Sequence, residues 1–134
     1  MITKPTWVLH SIIPEDSDLA LGEFFGNIHT HGLDEYGHKE LCIALGVNPH
    51  VSGGLLNALG MSIANDGLVL KKGIISGQLA GGFDLKIITF KNDPTLYVIL
   101  PDPNNRFPGD TDCDPEYAKQ EIYAKHISET QGYV

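Results

Sequence analysis

The chain has 134 residues, 42% of them hydrophobic and 19% charged, the balance of an ordinary globular domain rather than of a disordered chain. At that length one core buries roughly two thirds of the surface the unfolded chain would expose, so a single domain over residues 1–134, folding without a partner, is expected. Nine Lys and Arg against 17 Asp and Glu leave a formal charge of −8, whose field repels phosphate backbones and anionic headgroups and argues against nucleic acid and membrane as partners.

The apolar stretch nearest the start, Trp7 to Ile13, is interrupted by His10 and Ser11 and carries neither a basic leader nor a small-residue cleavage site. It reads as neither signal peptide nor membrane span, and the cytoplasm is the expected compartment. Thr6–Ile13 and Phe24–Leu33 are rich in β-formers and closed by turn residues, so both read as strands. A third strand is expected at Glu40–Leu45, a short continuous apolar run suited to burial on both faces.

Asn48 and Pro49 match a helix N-cap and first position, and Val51, Leu55, Leu59 and Ile63 follow at helical spacing until Gly67. The interior glycines Gly53, Gly54 and Gly60 each cost about 1 kcal/mol relative to Ala, a cost that close packing on a sheet would offset. Leu68–Ile75, Phe83–Phe90 and Leu96–Leu100 read as three more strands, divided by the Gly77–Gly82 loop and an Asn92-Asp93-Pro94 turn, with antiparallel pairing the simplest arrangement. Pro101–Pro115, dense in Pro, Asp and Asn, reads as a surface loop before a short helix from Pro115 to about His126. The expected class is α+β, with a mostly antiparallel sheet of about five or six strands packed with one main helix and a short C-terminal helix. Leu41, Ile43, Leu55, Leu59, Ile63, Ile87 and Val98 are the expected core.

Chemistry is best sought in Asn27-Ile28-His29-Thr30-His31 and in His38 and Glu40 beyond a polar turn. Residues two apart on a strand face one side, so His29 and His31 can point together and His38 or Glu40 can join them as a third metal ligand, leaving an open coordination position. The competing reading places these imidazoles on a half-exposed sheet face, bonded to Thr30, Tyr36 and backbone. Asp110, Asp112 and Asp114 alternate, but Pro115 stands where a calcium loop needs Gly, and Asp114 reads instead as the N-cap of the last helix. The glycines at 77, 81 and 82 fit no phosphate-binding pattern, and no Ser or Cys lies in a nucleophile signature. Cys42 and Cys113 build no disulfide framework, and Cys42 reads as a buried reduced thiol. Arg106, the sole arginine, can pin the Pro101–Pro115 loop by a fork onto Asp102, Asp110 or a main-chain carbonyl, or hold a ligand carboxylate or phosphate.

Taken together, Asn27-Ile28-His29-Thr30-His31-Gly32-Leu33, Tyr36-Gly37-His38-Lys39-Glu40-Leu41, Leu55-Leu56-Asn57, and Ile99-Leu100-Pro101-Asp102 through Asn105-Arg106-Phe107-Pro108 resemble, in order and spacing, the bacterial family catalogued as domain of unknown function 4262. The resemblance runs from about residue 24 to residue 120 and implies a family with no assigned activity. Members of that family often carry Tyr-Thr-Val-Gly-Leu in place of His29-Thr30-His31-Gly32-Leu33, which implies that the histidine pair belongs to a subgroup. Gly32, Leu33, Gly37, His38, Glu40 and Leu41 match the broader pattern. A fainter similarity is to suppressor-of-fused-like domains, some of which serve as immunity proteins in bacterial toxin systems.

Two functional readings follow. In the first, a non-catalytic binding or immunity-type module meets a protein partner through one sheet face and the Pro101–Pro115 loop, its acidic charge steering it toward a basic surface. In the second, a small enzyme holds a divalent transition metal on His29, His31 and His38, with Glu40 as orienting group or general base. His38, Glu40, Asp102 and Arg106 are the candidate ligand-binding residues.

Overall fold

The computed structural model describes residues 1–12, 27–44 and 49–130. Two three-stranded antiparallel meanders form the sheet: β1 (Val8–Ile12), β2 (Asn27–His31) and β3 (Leu41–Ala44), then β4 (Gly73–Ile75), β5 (Leu85–Phe90) and β6 (Asp93–Ile99). They join where β3 runs parallel to β6, with Leu41 opposite Leu96 and Cys42 opposite Tyr97, so the strand order is β1-β2-β3-β6-β5-β4. The class is α+β with a mostly antiparallel sheet, as the sequence implies. The central β3–β6 pair is the one parallel pairing among the described strands, and it requires a long connection between them. Helix α1 (Pro49–Asp66) and the second meander's first two strands supply it.

Several boundaries also move. Leu33 is not in β2: Gly32, at φ 121°, ends the strand, and Leu33–Tyr36 form a 3-10 turn closed by Gly37 at φ 72°. Leu68–Lys72 precede β4, and the hairpin reversal falls at Lys91-Asn92, with Asn92 at φ 65°, so Asp93 and Pro94 belong to β6. Pro94 is tolerated in this central strand because the pairing with β3 starts at Leu96. Ile13, Phe24–Gly26, Leu45 and the expected N-cap Asn48 lie outside the described residues.

On α1 the buried stripe is Ser52, Leu56, Leu59 and Ile63, while Val51 is exposed and Leu55 only half-buried. At about 100° per residue, strict four-residue steps drift roughly 40° around the helix each time, whereas alternating steps of four and three hold one face. Leu33, Leu41, Ile43, Leu85, Ile87 and Val98 meet that stripe. Two of the three interior glycines are there for close approach. A Cβ on Gly60 would overlap the Trp7 ring, 2.7 Å from Cε2, and one on Gly53 would sit 3.2 Å from Ile28 Cδ1, whereas Gly54 faces open space.

The opposite sheet face carries a second, smaller core. Asp114 caps α2 (Pro115–Ala118) by accepting from the Glu116 N–H with Pro115 in the first turn, and α3 (Gln120–Thr130) continues past a bend. Tyr123, Ala124 and Ile127 of α3 pack on Cys42, Ala44 and Tyr97 of β3 and β6. No helix among the described residues is long and apolar enough to cross a membrane.

Candidate metal centre

Strand alternation sends Ile28 and Thr30 toward α1 and Asn27, His29 and His31 to the other face. The antiparallel register of β1 sets His10 opposite His29 and Val8 opposite His31, which brings a third imidazole to the same face from the sheet edge. Ring centroids lie 4.3 Å apart for His10 and His31, 4.8 Å for His29 and His31, and 5.4 Å for His10 and His29. One ring nitrogen from each lies within 4.8 Å of the other two. His29 is buried, while His10 and His31 are exposed. Helix α3 packs over β3 and β6, so the cluster sits beside it, where the face opens to solvent.

Burial holds the His29 imidazole down at about 4, helped by His31 and then His10, and only partly opposed by the Glu40 carboxylate. At neutral pH this ring is therefore uncharged, the form in which imidazole ligates a metal. Its Nδ1 lies 3.1 Å from Asn27 Oδ1, which also receives the Cys42 thiol at 3.9 Å. An amide oxygen only accepts, so Nδ1 carries the proton and the lone pair is on Nε2. This is the arrangement by which a second residue fixes the tautomer and aim of a ligating histidine. Tetrahedral zinc with bonds of about 2.0–2.1 Å needs nitrogens about 3.3 Å apart, a closure that side-chain rotation of the exposed His10 and His31 can supply.

His38 is not part of this group. Its Nδ1 donates to the Lys39 carbonyl at 2.7 Å and its Nε2 accepts the Leu70 N–H at 3.0 Å, so both nitrogens are occupied in clamping the chain after α1 to the β2–β3 corner. The third imidazole expected from His38 is supplied by His10. Glu40 is likewise committed. Its carboxylate accepts from Thr30 Oγ1 at 2.8 Å and from the N–H groups of Gly32, Leu33 and Asp34 at 3.1, 3.1 and 3.4 Å, capping the 3-10 turn. Thr30 Oγ1 in turn accepts the Leu41 N–H at 2.9 Å.

Asp102 organises the loop of residues 101–114. Its buried carboxylate accepts the N–H groups of Asn104, Arg106 and Asp114, each at 2.9 Å, and Arg106 Nε at 3.1 Å. Burial pushes this acid up, but the hydrogen bonds from Asp114, Arg106 and Asn104 outweigh it and leave Asp102 at about 2. Arg106 thus joins Asp102 through one nitrogen, and the backbone does most of the pinning. Burial and the nearby Asp102 charge push the Cys113 thiol up, away from a reactive thiolate. An apolar cleft of about 360 Å³, lined by Val51, Leu55, Leu79, Phe83, Leu100 and Tyr117 among others, runs alongside Pro101–Pro103.

The sequence reading brought His29 and His31 together and missed His10 and Asn27. The one signal for His10 was its place in a β-rich stretch ahead of the histidine-bearing strand. Register between those strands was needed to find it, and the connection between them is too long for turn geometry to fix that register. Compared with protein-family models, curated proteins and solved structures, the chain matches none.

Proposed function

We propose that the protein binds one divalent transition-metal ion per chain on His10, His29 and His31. The observation that carries this reading is the convergence of three imidazoles, from two strands, with donor nitrogens within 4.8 Å of one another. An all-imidazole donor set suits zinc, copper, nickel or cobalt and offers nothing to calcium or magnesium, which take oxygen. Neutrality of His29 and its orientation by Asn27 support the same reading, since neither needs to be established when the ion arrives. Calorimetric titration of untagged protein with zinc chloride tests it. One ion per chain is expected, with affinity lowered at least about tenfold in His10→Ala and in His29→Ala, and unchanged in Lys39→Ala. No heat of binding, or binding indifferent to His10→Ala, would overturn it.

A second reading, a module that binds a protein partner, is favoured by the apolar cleft beside Pro101–Pro103 and the charge of −8. The resemblance to domain of unknown function 4262 accommodates either reading, because that family carries no assigned activity. A Leu55→Glu variant that keeps its fold and zinc stoichiometry yet loses a basic partner would support the second reading. Unchanged capture of such a partner would remove the cleft from consideration.

A further inference from the structure

We infer that the metal held by the three histidines keeps an outward coordination position that takes a small anionic ligand directly on the ion. This rests on the metal-binding reading above and names the ligand class of the same site. Three observations carry it.

Among the described residues the converging donor group contains three side chains, one fewer than a closed tetrahedral site uses. Among the described residues, the Cys42 thiol and the Glu40 carboxylate beside β2 are engaged elsewhere. Cys42, opposite His29 on β3, is fully buried with its thiol directed at Asn27 Oδ1, and both Glu40 oxygens are held by the 3-10 turn and Thr30. The direction of the remaining position follows from burial. His29 lies at the floor and His10 and His31 stand exposed at the rim, so an ion between them faces solvent.

Charge then selects the ligand. Three neutral imidazoles leave both positive charges of a divalent ion uncompensated, so an anion bonded directly to it gains far more than a neutral donor does. The net charge of −8 opposes this only at long range, where salt screens it beyond about 8–10 Å. It discriminates against large polyanions and leaves a small monoanion such as azide, formate or acetate nearly unaffected. An exchangeable position of this kind separates a reactive metal site from a structural one.

Cobalt(II) loaded into the zinc position reports coordination through its visible absorption, and sodium azide is the probe. Addition of azide should shift the cobalt bands in a saturable, one-to-one manner, with matched sodium chloride producing a smaller shift. Bands that do not move at saturating azide, while metal analysis after dialysis shows cobalt still bound, would overturn the open position and leave the metal-binding reading standing. Failure of the protein to take up cobalt at all would overturn both. Release of cobalt by azide would also count against the inference, since it shows competition for the ion rather than occupation of a vacant place. As a control for nonspecific anion effects, the His31→Ala protein, checked for native circular dichroism, should lose the one-to-one band shift.

Discussion

Two polar clusters sit on this fold, and they have opposite character. Around Asp102 an anion is surrounded by donors: three backbone N–H groups and a guanidinium nitrogen all point at one buried carboxylate. Around His29 the clustered side chains are alike, three imidazoles with one nitrogen of each within 4.8 Å of the other two. The first arrangement is complete by itself, because each donor has found its acceptor and the charge is compensated. In the second, three side chains of one chemical kind converge, each offering a ring nitrogen. What the contrast teaches is that a buried charge ringed by complementary donors holds architecture together, whereas a convergence of like donors is what the proposed metal site rests on. Glu40, capping a turn with both oxygens, belongs with Asp102 in this respect.

The comparison can be broken most forcefully at Asp102. Replacement by Ala leaves three N–H groups without an acceptor and should cause the largest stability loss of any change named here, with hydrogen exchange accelerated from Leu100 to Pro115. The pH dependence has a definite sign. Because the folded carboxyl lies at about 2, below its ordinary 3.8, its contribution is fully present above about 4 and is lost as pH falls through 2. Acid unfolding of the wild type should therefore steepen in that window, and Asp102→Asn should flatten it. A wild-type acid limb identical to that of the variant would mean the cradle is not what holds the loop.

Leu59→Ala, in the core between α1 and the sheet, should cost about 2–5 kcal/mol in chemical unfolding, and a loss below about 1 kcal/mol would show that α1 is packed differently. Gly60→Ala should cost about 1–3 kcal/mol because its new methyl meets the Trp7 ring just ahead of β1. Gly54→Ala, facing open space, should instead stabilise by about 0.4–1 kcal/mol, and equal effects at the two glycines would contradict the close approach. Arg106→Lys should cost less than about 1 kcal/mol, since a partly exposed side chain contributes one bond to a carboxylate already held by backbone. Limited proteolysis should show modestly faster cleavage between Pro101 and Pro115. Smallest of all, His10→Ala should change stability by no more than about 0.5 kcal/mol while weakening zinc binding. A large stability loss with unaltered zinc affinity would place His10 with the architectural residues and dissolve the contrast.

Legibility in the sequence followed the range of the interactions. Asp114 as N-cap with Pro115 behind it was readable, because capping involves residues two apart. The helix from Pro49 was readable, with Leu59 and Ile63 buried as expected, but in its first half Leu56 rather than Leu55 is buried, since both are apolar and only the sheet chooses between them. His38 stands apart from the histidine cluster because its Nε2 accepts the N–H of Leu70, 32 residues away, a contact that no local pattern announces. Gln120, fully buried and exchanging hydrogen bonds with the Leu100 backbone, gave no signal in a polar-looking stretch.

What the sequence determined by itself was the class of fold, the approximate position of the strands and of both helical segments, the Asp114 cap, and the fact that His29 and His31 share a face. All of these depend on residues a few positions apart, through backbone periodicity, excluded φ/ψ regions and local hydrogen bonds. Tertiary structure alone decided the parallel contact of β3 with β6, the register that sets His10 opposite His29, and the saturation of Asp102 and Glu40. Register changes in single steps that flip every side chain across the sheet, and the choice among steps is made by burying Leu9 and Ile28 against α1. The histidine cluster on the other face is a consequence of that burial, because a strand cannot send one side to the core without sending its alternate residues to the opposite face.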